Sequence, residues 1–276
     1  MDMNATISAL AARVPRDENV RIGSDGLSYC LNCGGARECR IEIFDRVRVV
    51  HCLCKCMAEK RAQEEALRKQ QELMLRIATY RDIGFPDREM QAYTFENDDG
   101  AQPALTNAMQ AYVDHFDEFR KEGKGLYLYG PVGTGKTFHA ASVVNALIDK
   151  GTPCLMTNLT RVTNKISGTW EGRQDYIDSL SRFSLVGIDD LGVERNTEYM
   201  NESVTTIIDS LYRAKVPMII TSNYTPAQLV DEADIRRKRV YDRLLERCHP
   251  IYVAGESRRK SKGRSDYKTM KNILGL

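Results

Sequence analysis

Between Gly123 and Asn223 two kinds of apolar pattern take turns along the chain. Short continuous apolar runs read as buried strands: GLYLYG at 125–130, PCLMTN at 153–158, FSLVGIDD at 183–190 and VPMIITSN at 216–223. Between them lie KTFHAASVVNALIDKG, closed by Gly151, and NESVTTIIDSLYRA, whose apolar positions recur at helical spacing. A strand that is apolar at every position has both faces covered. Such strands separated by helices predict a parallel sheet with helices on either side, an α/β three-layer sandwich.

Upstream the pattern changes. Residues 57–83 hold no Gly or Pro, are rich in good helix formers, and carry charges at spacings that allow i to i+4 pairs, which predicts a long solvated helix. GFPDREMQAYTFENDDG then breaks it. Three parts result: a glycine- and cysteine-rich module at 1–56, a helical linker at 57–84, and a larger α/β domain at 85–276.

The bulk composition changes little in this picture. Charged residues make up 28% and hydrophobic ones 42% of 276, ordinary for a globular chain, and a net charge of +2 is too small to diagnose a nucleic-acid partner, so any such reading rests on local clusters. The first twenty residues lack a basic start followed by an apolar core, and no stretch approaches the ~20 apolar residues that span a bilayer. A cytoplasmic protein with no membrane partner is expected. Eight cysteines are many for a reducing compartment, but six of them (Cys30, Cys33, Cys39, Cys52, Cys54 and Cys56) crowd one segment, which reads as a metal site before it reads as disulfides.

The strongest chemical signal is GPVGTGKT, joining the first strand to its helix: Gly130, Pro131, Val132, Gly133, Thr134, Gly135, Lys136 and Thr137. Its glycines let backbone N–H groups curl round phosphates, and the following helix points its positive end at the same oxygens. In such a P-loop Lys136 reaches the β- and γ-phosphates of ATP, and the Thr137 hydroxyl binds Mg²⁺. The strand SLVGIDD places Asp189 and Asp190 at its C-terminal end, where ligands bind in parallel sheets. Asp189 is expected to hold the Mg²⁺, and Asp190 to orient or deprotonate the attacking water. Asn223 ends the next strand within reach of the γ-phosphate or that water.

In the N-terminal module Cys30-x2-Cys33 makes a metal knuckle, and Cys52 opens a second cluster at zinc-ribbon spacing. Alternate strand residues share a face, so Cys52, Cys54 and Cys56 are all candidates beside Cys30 and Cys33. Zinc takes four ligands, so four of these five are expected, with Cys39 set aside. So small a module needs the metal to stay folded.

Together these residues resemble the DnaC/DnaI/IstB-type branch of the AAA+ ATPases. The matching stretches are LYLYGPVGTGKTFHAASVVNAL, SLVGIDDLGVE, MIITSNYTPAQL, RVYDRLLERC and GESRR, in order from about Gly123 to Lys260. The resemblance implies an ATPase whose sensor-one residue is Asn223, whose arginine finger into a neighbouring subunit is Arg243, and whose sensor-two arginine is Arg258. Asp190 stands where AAA+ proteins generally carry Glu; the shorter carboxylate predicts slow turnover, and this branch shares it. The cysteine module resembles the zinc-containing N-terminal domain of DnaI-like helicase loaders, which with its following helix grips the replicative helicase.

For nucleic acid the candidates are Trp170, the only tryptophan, with Lys165 and Arg173 close by, and Tyr199 just past the strand that ends in Asp189 and Asp190. An aromatic among cations suits base stacking, while neighbouring charges hold phosphate. The tail SRRKSKGRSDYK adds further cations. The resemblance thus implies an ATP-dependent homo-oligomer that binds a replicative DNA helicase and places it on single-stranded DNA. The alternatives are an IstB-type transposition helper acting on duplex DNA, and a zinc-containing adaptor with little ATP turnover.

Overall fold

The computed structural model describes residues 19–166, 170–192 and 198–258, with isolated positions after 266. It divides into two units, Met1–Glu72 and Leu73–Leu276. In the first unit, strands β1 (Val20–Ile22) and β2 (Ser28–Cys30) form one antiparallel hairpin, and β3 (Glu38–Ile43) and β4 (Arg46–His51) form another. Helix α1 (Lys55–Gly84) begins immediately after the cysteine-rich turn, and the boundary between the units falls inside it.

The predicted solvated helix is present in α1. Its charges pair one turn apart, Lys60 with Glu64, Glu65 with Lys69 and Arg68 with Glu72, and Gly84 is its one buried residue. Over its first part these pairs and high intrinsic propensity hold the helix, while towards its C-terminal end Ile77 and Tyr80 pack on a core of the second unit.

The second unit is built on a five-stranded parallel sheet of β5 (Gly125–Tyr129), β6 (Cys154–Asn158), β7 (Leu185–Leu191), β8 (Met218–Ser222) and β9 (Cys248–Tyr252), in the spatial order β6-β7-β8-β5-β9. Alternate residues of each strand feed two separate cores. Tyr127, Leu155, Val186, Ile188, Met218 and Ile220 pack on one face against α5 (Leu159–Ile166), α6 (Trp170–Leu180), α7 (Glu198–Arg213), α8 (Pro226–Val230) and α9 (Ile235–Arg247). Leu126, Leu128, Cys154, Met156, Leu185 and Ile219 pack on the other against α2 (Pro103–Asp114), α3 (Phe116–Glu122) and α4 (Lys136–Asp149). That division is why β5 to β8 read as near-continuous apolar runs, and it makes the unit the three-layer α/β sandwich read from the pattern. No helix among the described residues is long and apolar enough to cross a membrane.

Candidate functional site

At the C-terminal end of the sheet, where β5 turns into α4, lies a cleft of about 370 Å³ lined by Tyr93, Val132, Gly133, Gly135, Lys136, Thr137, Phe138, Asp190, Asn223 and Arg258. The loop before α4 needs its glycines. Gly133 has φ +85°, and a Cβ there would lie 2.2 Å from Ser257 Oγ. Lys136, 5% exposed, directs its ammonium at three oxygens: Gly130 O at 2.8 Å, Pro131 O at 2.7 Å and Asn223 Oδ1 at 2.9 Å. The P-loop lysine and the asparagine just past β8 are therefore brought together. A buried ammonium at a helix N-terminus, beside a glycine-rich loop, is chemistry that attracts a polyphosphate.

The two acids are set apart by their backbone. Asp189 is buried, and its Oδ1 accepts the hydroxyls of Thr137 at 2.8 Å and Thr221 at 2.6 Å. Thr137 and Asp189 are hard oxygen donors side by side, which fits Mg²⁺. Asp190 sits at a break in the β7–β8 register with φ +53°, a left-handed conformation that Asp tolerates better than most L-residues. Its N–H is tied to Thr221 Oγ1 at 2.9 Å, and its side chain is exposed on the cleft wall. Thr221, fully buried, bridges both acids to the neighbouring strand. The sequence reading passed over it, along with Tyr93 and Phe138 in the opposite wall, whose rings lie 5.7 Å apart. The only signal for Thr221 was its place two residues before Asn223.

Arg258 enters the cleft from the segment after β9, its N–H bonded to Gly133 O at 2.9 Å. Arg243 does not line it. Its guanidinium bonds to Asp209 on α7 and lies 5.6 Å over the Tyr212 ring, with Arg247 on the same ring at 4.8 Å. Lys165 ends α5, exposed, with its ammonium 5.2 Å over the Tyr176 ring. Arg173 lies on α6, half-buried. Trp170 opens α6 and Tyr199 lies in the first turn of α7, but their side chains, like residues 259–266 of the basic tail, fall outside the described residues.

In the first unit the sulfurs of Cys30, Cys33, Cys54 and Cys56 all lie within 4.8 Å of one another. Zinc–sulfur bonds of about 2.3 Å hold tetrahedral sulfurs roughly 3.8 Å apart, so the cluster fits one ion. Backbone N–H groups of Cys56 and Gly35 hold the Cys33 thiol down at about 6, while hydrogen bonds to Cys54, Cys30 and Cys33 push the Cys56 thiol up to about 12. The thiol of Cys30 is lowered in the same way by N–H groups of Cys33 and Asn32. Cys52 lies outside the set, its thiol turned to Ala36 O at 3.4 Å. The alternation rule put it in because it assumed a strand through Cys56. The strand ends instead at His51 and a helix starts at Lys55, so Cys54 and Cys56 are brought together by a turn.

Residues 51–266 match the family described as IstB-like ATP binding protein. The replicative helicase loader DnaI of Bacillus subtilis is 23% identical over 219 residues, 74% of this chain and 68% of that protein. The loader DnaC of Escherichia coli is 26% identical over 150 residues, 53% of this chain and 58% of that protein. A crystal structure of DnaI, 23% identical, superposes with a TM-score of 0.51 over 62% of this chain and 95% of that one, which supports the fold. With the family matched across both the phosphate loop and the acid pair, the chain belongs to the IstB-like ATP-binding proteins and is a P-loop ATPase.

Proposed function

We propose that this ATPase loads a hexameric replicative DNA helicase onto single-stranded DNA in the cytoplasm, working as an ATP-dependent homo-oligomer. The observation that carries the reading is the four-cysteine cluster at the start of α1, on the same chain as the nucleotide cleft. A small unit stapled by zinc and continued by a long solvated helix is built to present a surface, and an ATPase alone has no need of it. Similarity to DnaI across 74% of the chain supports the same direction.

In this reading the glycine loop and Lys136 hold the β- and γ-phosphates, while Asn223, 2.9 Å from the ammonium, is placed beside the γ-phosphate. Mg²⁺ held by Thr137 and Asp189 would neutralise charge on the phosphate oxygens. Asp190, free of the Thr137 contact and directed into the cleft, orients the attacking water, at the modest rate expected of the shorter acid. Arg258 meets nucleotide from its own subunit. Arg243, stored on Asp209, is the group offered to a neighbour's cleft. Lys165, Arg173, Trp170 and Tyr199 are the proposed contacts to single-stranded DNA.

The test is association of the purified protein with its host's replicative helicase, followed by size-exclusion chromatography. Co-elution is expected with the unaltered chain, and Cys30→Ser is expected to abolish co-elution while retaining ATP binding. Failure to co-elute with helicase, together with binding to a transposase on duplex DNA, would replace this reading with the transposition-helper one.

A further inference from the structure

After β9 the chain returns over the phosphate loop, with Val253 N–H bonded to Tyr129 O at 2.8 Å and Arg258 N–H to Gly133 O at 2.9 Å. This brings the Arg258 guanidinium against Gly135, where an added Cβ would lie 3.2 Å from its Cζ and Nη1. The same guanidinium lies 6.0 Å over the Phe138 ring. The position is electrostatically unfavourable for a cation. Lys136 already occupies the N-terminus of α4, and the helix dipole is positive there. Something must supply counter-charge.

Two adjacent acids do so. Asp99 Oδ1 lies 3.0 Å from Arg258 Nη2, and Asp98 Oδ1 lies 3.9 Å from Nη1. The Asp98 side chain is only 6% exposed, and its other oxygen accepts the Thr106 hydroxyl from α2. Gln102, on the same segment, donates to Thr134 O at 3.0 Å and ties it to the phosphate loop. His139, fully buried on α4, has its pKa lowered by burial against the opposing pull of the Asp98 charge, which disfavours a cation beside that carboxylate. Among the described residues neither Asp98 Oδ1 nor Arg258 Nη2 has an aligned hydrogen bond. The hold is therefore one of charge rather than of fixed geometry, and it leaves the guanidinium's donors able to turn toward phosphate oxygens.

We propose that Asp98 and Asp99 are positioning residues for Arg258, holding its guanidinium over the phosphate end of α4 so that it meets bound nucleotide already in place. This rests on the reading that Arg258 contacts nucleotide. The test is a mutant cycle on the full chain, reading kcat for ATP hydrolysis, Kd for a fluorescent ATP analogue, and melting temperature. Replacing both acids (Asp98→Asn with Asp99→Asn) is expected to lower kcat roughly three- to thirtyfold with melting unchanged, to add nothing once Arg258→Ala is present, and to be avoided by Asp99→Glu. Should the double replacement lower the melting temperature, Asp99→Asn alone decides, because Asp99 is half exposed. Unchanged kcat in the acid variants while Arg258→Ala lowers it, or losses that multiply in the triple variant, would overturn the proposal. An Arg258→Ala protein with normal kcat and Kd would overturn the reading of Arg258 itself, and this proposal with it.

Discussion

At Thr221 one buried hydroxyl makes two bonds, donating to Asp189 and accepting from the Asp190 N–H. It sets the two acids at different depths, one in the wall and one in the cleft. Thr221→Val keeps the shape and removes both bonds, leaving a partly buried N–H without this partner, at a cost of about 1 kcal/mol. Turnover is expected to fall roughly ten- to a hundredfold, because Asp190 loses its placement, while nucleotide affinity stays near normal. Turnover equal to that of the unaltered protein would show that the backbone kink alone places Asp190. The phosphate loop and the acid pair were legible because glycine spacing and paired carboxylates after an apolar run are themselves the chemistry. Thr221, Asp98 and Asp99 were not legible, since each acts through a partner 31 or more residues away that only the folded register supplies.

At the scale of elements, apolar patterning located β5 to β8, α4 and α7 because each buries residues on a regular period. It missed β9, whose CHPIY carries exposed His249 and Pro250 on an edge strand that pairs with β5 alone. The cysteine turn makes the same point for a site. Four ligands were expected from five candidates, and the choice among them turned on whether a strand or a turn runs through Cys52 to Cys56. Zinc analysis of purified protein is expected to give about one ion per chain, kept in Cys52→Ser and lost in Cys54→Ser. Loss of zinc in both variants, or in neither, would contradict the cluster of Cys30, Cys33, Cys54 and Cys56.

For the whole molecule, the two arginines lie in different places. Arg258 lies in its own cleft, and Arg243 waits on the Asp209–Tyr212 face of α7. If Arg243 serves a neighbour, Arg243→Ala leaves ATP binding intact and lowers hydrolysis by roughly 10³ or more. Mixing it with Asp190→Asn restores part of the activity where an intact cleft meets an intact finger. Absence of any rescue from co-assembled subunits would place Arg243 in a structural role. The proposed DNA contacts are tested in the same assembled state. Trp170→Ala is expected to weaken ATP-dependent oligonucleotide binding by roughly tenfold without lowering melting temperature. The central claim, that ATP at the cleft drives a helicase onto DNA, is tested most directly on closed circular single-stranded DNA, which an intact hexamer ring cannot thread by itself. The measurement is the amount of host helicase retained on the circle after a high-salt wash, with ATP and either the unaltered chain or Lys136→Ala. The account predicts retention with the unaltered chain and almost none with Lys136→Ala; equal retention in both, or none in either, would contradict it.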